Sequence, residues 1–156
     1  MTVRLQSLRE RTLLVTPVRV VLGVVWVVVA QVAGADSGPA WTAFFLAAFL
    51  TAGVLIADPR SRLAELKEPV EAPAGAQVDP PLRQVLSALL PSTVVVNVLA
   101  ALALARQPVL TALLGGGSAG MGVAGLVGLA RLGARETIAG GTLYVDRAMR
   151  TLYVRR

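Results

Sequence analysis

Apolar residues in this chain fall in long continuous blocks, not in the period-two alternation of a half-buried strand or the narrow stripe of a surface helix. Four blocks, at about residues 17–33, 39–57, 80–105 and 108–130, each reach the roughly 17 to 25 apolar residues that a membrane-crossing helix needs. Their ends carry helix signals. Thr16 as N-cap with Pro17 at the first helical position opens the first block, and Asp58-Pro59 closes the second. Asp79-Pro80 opens the third and Pro108 the fourth. The connections after the first and third blocks are only a few residues long, which makes each consecutive pair antiparallel neighbours. The pattern therefore predicts an all-α integral membrane protein whose four transmembrane helices form two antiparallel helical hairpins.

The fourth block carries seven glycines between residues 115 and 128. Glycine costs about 1 kcal/mol in a water-exposed helix interior, whereas in lipid it lets a second backbone approach closely. Ala112, Gly116, Gly120, Ala124 and Gly128 recur at every fourth position and so share one face. This ladder is expected to be a helix–helix contact, with the third span as the nearest partner and another copy or another subunit as further ones. Pro91 interrupts the third span and predicts a kink, with the hydroxyls of Ser92 and Thr93 available to freed carbonyls. Asn97, near the middle of that span, needs a hydrogen-bond partner in lipid and is expected to face a neighbouring helix. None of the four blocks shows an ionisable residue at its middle, since Arg19 reads as one turn into the first.

The segments between and beyond the blocks are polar. Residues 1–16 form a basic amphipathic stretch, with Leu5, Leu8 and Leu13 opposite Arg4, Arg9 and Arg11. These arginines, together with a snorkelling Arg19, are expected at anionic lipid headgroups. The same region, with its Val-rich core and Ala33-Gly34-Ala35, also resembles a cleavable signal sequence, but a retained first helix is the reading adopted. The loop 58–79 is proline-rich and reads as a linker. In the basic tail, 131–156, the sequence Thr-Leu-Tyr-Val occurs at 142–145 and again at 151–154, which predicts a short β-hairpin over 142–154. A lone hairpin is marginal in water, so this one is expected to rest on the membrane, on its own loop or on a partner's sheet edge.

Composition agrees with a membrane class: 55% of residues are hydrophobic and 15% charged, with a mean hydropathy of +0.69. Soluble domains carry about 25% charged residues. Charge then sets orientation. Of the 15 Lys and Arg residues, Arg4, Arg9, Arg11 and Arg19 flank the first span, and Arg60, Arg62, Lys67 and Arg83 the loop after the second. Six more lie in the tail, and only Arg106 falls on the other side. By the positive-inside rule both termini are cytoplasmic. The net charge of +6 sits beside the spans, so anionic lipid rather than nucleic acid is the expected partner. The preference for Arg over Lys and the richness in Val, Ala, Gly and Leu point to a bacterial inner membrane.

Chemistry is sparse. With no cysteine and no histidine there are no disulfides, thiolate nucleophiles or imidazole bases, and none of the usual zinc ligands. Gly115-Gly116-Gly117 lacks the Gly-Lys-Ser/Thr that would make it a phosphate loop. Asp58, Glu65, Glu68, Glu71, Asp79 and Glu136 show no spacing that suggests a reaction. No catalytic residue, cofactor or metal is expected. The expected function is a non-catalytic accessory or scaffold subunit that packs, by its glycine-rich helix, against a larger membrane complex or another copy. The alternative is a small oligomeric transporter or channel, in which several copies would have to surround a polar path.

Overall fold

The computed structural model describes residues 4–58, 68–90, 92–146 and 151–155. Five described helices run α1 Leu8–Val32, α2 Ser37–Ala57, α3 Pro81–Leu89, α4 Ser92–Leu104 and α5 Pro108–Ala139. Strands are β1 Arg4–Ser7, β2 Val70–Glu71, β3 Gln77–Val78, β4 Thr142–Asp146 and β5 Leu152–Arg155. Helices α1, α2 and α5 are each long and apolar enough to cross a membrane, and α3 with α4, bent by 48°, makes a fourth if counted as one span. The proline expected to cause that bend, Pro91, lies outside the described residues.

The first helix begins nine residues before the expected start at 17. Ser7 is its N-cap, and the Ser7 hydroxyl accepts from the Glu10 N–H at 3.3 Å. Ser7-Leu8-Arg9-Glu10 has the Ser-x-x-Glu spacing of a capping box. Pro17 therefore stands inside the helix, where it removes one backbone donor without ending it. At the other boundary α5 runs beyond 130 to Ala139 and stops where Gly140 takes φ of 66°, a left-handed cap that favours glycine.

Of the two helical hairpins expected from loop length, the first does not pack on itself. Although α1 and α2 share a short loop, α5 lies in the crevice between them, and each packs mainly on α5. Small residues make this close three-helix contact. A methyl placed on Gly115 would come within 2.8 Å of the Gly23 carbonyl oxygen of α1, and one on Gly116 would fall inside the backbone of Phe44 of α2. Helix α4 packs against α5 as well, where the buried Thr111 hydroxyl donates to the Ala100 carbonyl at 3.1 Å.

At one end of the bundle sits a five-stranded sheet of order β2-β5-β4-β1-β3. β4 and β5 pair antiparallel from Thr142↔Arg155 to Val145↔Leu152, and their connection, 147–150, lies outside the described residues. β1 adds antiparallel to β4, so that residues 4–7 of the expected amphipathic segment form a strand of the sheet. β2 and β3, both from the proline-rich loop, pair in parallel with β5 and β1 at the sheet's edges. The described part of that loop is thus not a free linker. Residues 59–67 lie outside the described residues. The physical cause is the need to cover an apolar face and two open edges. Leu143, Leu152 and Val154 pack on Leu132, Leu8 and Ala139 at the end of the bundle.

Candidate functional site

Arg19 is the residue whose placement differs most from expectation. Because α1 starts at Leu8, Arg19 is its twelfth residue of 25, not one turn inside its end. Its carbonyl accepts from the Ser118 hydroxyl of α5 at 3.2 Å, so it lies at the level of the mid-bundle contacts. Its guanidinium reaches the break between α3 and α4. There it donates to the Ala88 carbonyl at 3.2 Å, the Ser92 hydroxyl at 3.0 Å and the Thr93 hydroxyl at 3.1 Å. In an unbroken helix the Ala88 carbonyl would accept from the N–H of residue 92. Arg19 thus takes the place of a helix bond and caps the end of α3.

One turn further along α4, Asn97 accepts from the Trp26 indole N–H at 2.5 Å and donates to the Thr93 carbonyl at 2.6 Å. Thr93 is shared by both contacts, so Arg19, Trp26, Thr93 and Asn97 form one polar seam between α1 and α4. Two amide atoms, Gln31 Nε2 and Gln84 Oε1, are buried without a partner among the described residues.

A second feature lies toward the sheet. Between α1, α2 and α5 there is a cavity of about 290 Å³, with Thr12, Arg19, Leu55, Ile56, Arg131 and Arg135 in its wall. Its floor is the lower part of the glycine ladder, Ala124 and Gly128. Arg131 and Arg135 are four residues apart and so stand on one face of α5, one turn from each other. Among the described residues no carboxylate lines this cavity.

The ladder itself divides. Ala112 is fully buried in the core with Val27, Ala30, Ala40 and Phe44. Gly116 and Gly120 meet α2 at Phe44 and at Ala48 and Thr51. The partner is therefore α2, not the third span. Ala124 lines the cavity, and Gly128 has nothing within 4 Å of an added methyl. A second set of small residues, which the single ladder overlooks, faces α1: Gly115 at Gly23 and Trp26, Gly122 at Val20 and Thr16, and Gly125 at Thr16. The seven-residue spacing of Gly115 and Gly122 was the available sequence signal for it.

The arginines expected at lipid headgroups make contacts within the protein. Arg4 pairs with the buried Asp79 at 3.9 Å, and Arg9 with Glu136 at 3.7 Å. Arg11, half-buried on α1, also makes an interaction within the protein. Glu136 is a junction that the sequence did not single out: its second oxygen accepts from the Leu143 N–H at 3.1 Å, joining α1, α5 and β4. Asp79, expected to cap the third span, stands one residue before the observed N-cap. Pro80 occupies that position, and Asp79 accepts Arg4 while its carbonyl accepts Gln84 Nε2 at 2.6 Å.

Among the described residues no group of three or more His, Cys, Asp or Glu comes together to hold a metal. The arrangement offers hydrogen bonds between helices and a crevice with arginines in its wall. No protein-family model matches this chain, and no curated protein or solved structure is detectably similar to it.

Proposed function

We propose that this chain is a multi-pass protein of the bacterial inner membrane, with both termini and the sheet in the cytoplasm, that serves as a non-catalytic accessory or scaffold subunit. The support is the way its polar side chains are used. Within the long helices, Arg19, Trp26, Asn97, Thr111 and Ser118 all bond to neighbouring helices or their backbones. Such groups hold a bundle together. With the upper glycine faces filled from within the chain, one exposed apolar surface open to a partner helix is the outer side of α2. There Phe45, Leu46 and Phe49 are exposed, and the rings of Trp41, Phe44 and Phe45 pack on one another.

One observation favours the alternative of a small oligomeric transporter or channel. Arg19 is an ionisable residue in mid-helix beside a broken span, the kind of position that often marks a transport site. Purification of the full chain in a mild detergent separates the two. Co-elution with a larger membrane protein, weakened by Phe49→Ser, is expected for a subunit. A particle made only of copies of this chain would overturn that role and favour the transporter. Orientation is checked by cysteine labelling, since the chain has no native cysteine. Asp36→Cys is expected to react from the outside only.

A further inference from the structure

We infer that β2 is an exchangeable strand, and that the edge of β5 it covers receives an extended, acidic and apolar segment of a protein partner, added as a parallel strand. Both edges of the sheet come from one loop, yet they are held differently. β3 is followed by Asp79, which is 4% exposed, pairs with Arg4 at 3.9 Å and accepts Gln84 Nε2 on its carbonyl. That edge is tied to the start of α3. β2 pairs over two residues, Val70↔Tyr153 and Glu71↔Val154, and the Ala72 N–H donates to the Val154 carbonyl at 3.1 Å. Both of its side chains are exposed, Val70 by 56%. Parallel pairing is the weaker kind per residue, and a short ladder with exposed side chains opens at little cost.

What opens is a template, because a strand edge presents N–H and C=O groups to any extended chain. Beneath β2, β5 is backed by β4 from Thr142↔Arg155 to Val145↔Leu152, and Leu152 and Val154 are buried against the end of the bundle. It therefore stays a strand when β2 leaves. Pro69 and Pro73 bracket the pairing of β2, and each lacks the N–H that a longer ladder needs. A partner segment without those prolines would pair along all four residues of β5 and so outcompete β2. Charge chooses the occupant. The sequence places Arg147, Arg150, Arg155 and Arg156 in and around β5, and the segment that covers it reads Glu68-Pro69-Val70-Glu71. β2 is thus an internal copy of what fits: carboxylates to match arginines, and a β-branched residue beside Tyr153.

This inference rests on the accessory role proposed above for the existence of a partner, and on the sheet alone for the edge. The test uses the purified full chain in neutral detergent, with amide hydrogen exchange read residue by residue. Ala72→Pro removes the donor to Val154 and is expected to quicken exchange at the Val154 amide by about fivefold, the factor of one hydrogen bond. Tyr153, whose amide turns toward β4, is expected to stay unchanged. The probe is a synthetic peptide, Glu-Thr-Val-Glu-Ala-Thr, which copies residues 68–73 with threonine for both prolines. At about 5 mM, above the roughly millimolar effective concentration of a tethered strand, it is expected to slow Val154 exchange in the variant at least about twofold. The same peptide with lysine for both glutamates is expected to leave it unchanged. Equal quickening at Tyr153 overturns the inference, since β5 would then need β2 in order to stay a strand. So does an unchanged Val154, equal protection by the two peptides, or protection by neither. Protection that grows with the chain's own concentration in the absence of peptide makes the occupant another copy and overturns the partner of different sequence. Co-elution keeps the two readings apart. A peptide-binding edge on a chain that purifies only with itself defeats the accessory role, whereas co-elution with an edge that ignores the peptide defeats only this inference.

Discussion

Gly116 and Gly128 belong to one ladder, about three turns apart on the same helix, and their surroundings are opposite. Gly116 is closed by the backbone of Phe44, whereas Gly128 opens on a cavity lined by arginines. The residue type is the same, so the difference comes from the partner. Helix α2 runs beside α5 only as far as Ala57, and its last residues, Leu55 and Ile56, already form the cavity's far wall. A stripe of small residues is a permission for close approach. Whether it becomes a packed seam or an open groove depends on whether another backbone arrives.

The largest difference is expected when the same side chain is added at both glycines. Gly116→Leu is expected to cost at least about 3 kcal/mol, the upper range of overpacking, because backbone rather than a flexible side chain stands in the way. Gly128→Leu is expected to stay within about 0.5 kcal/mol, as surface substitutions do. Thermal unfolding of the two variants in one detergent measures both. Equal effects would mean that the upper and lower ladder are not different.

A smaller effect sharpens the packed side. Asn97→Leu removes the acceptor of the Trp26 indole N–H and is expected to lower stability by about 1 kcal/mol. Indole fluorescence should shift as well, since Trp26 loses its polar neighbour while Trp41 is untouched. A stable protein with an unchanged spectrum would show that the seam between α1 and α4 is not maintained.

The smallest effect concerns the open end. Ser7→Ala deletes the cap of α1 and is expected to cost about 0.5 to 1 kcal/mol. Hydrogen exchange should quicken in the first turn of α1 and in β1, with the Gly116 contact region unaffected. Exchange that quickens equally in the middle of α1 and α5 would show that the two ends are one cooperative unit.

The sequence alone determined the apolar blocks, and with them three long helices and a broken fourth segment. Continuous hydrophobicity over some twenty residues needs no tertiary context to be read. It also determined the paired strands of the tail, because the repeated Thr-Leu-Tyr-Val carries its own alternation. Helix starts were less legible. Thr16-Pro17 and Ser7-Leu8-Arg9-Glu10 are both valid start signals, and the sheet made from β1 decided between them by fixing Ser7 at the strand's end. Moving that start by nine residues carried Arg19 from the end of a helix to its middle. Only the tertiary structure decided which helices touch. Loop length makes α1 and α2 neighbours in the chain, yet the small residues of α5 allow a closer approach than either offers the other. Dispersion contacts grow with that closeness, so α5 enters between them. The same packing, ending where α2 ends, left the crevice at Gly128 open.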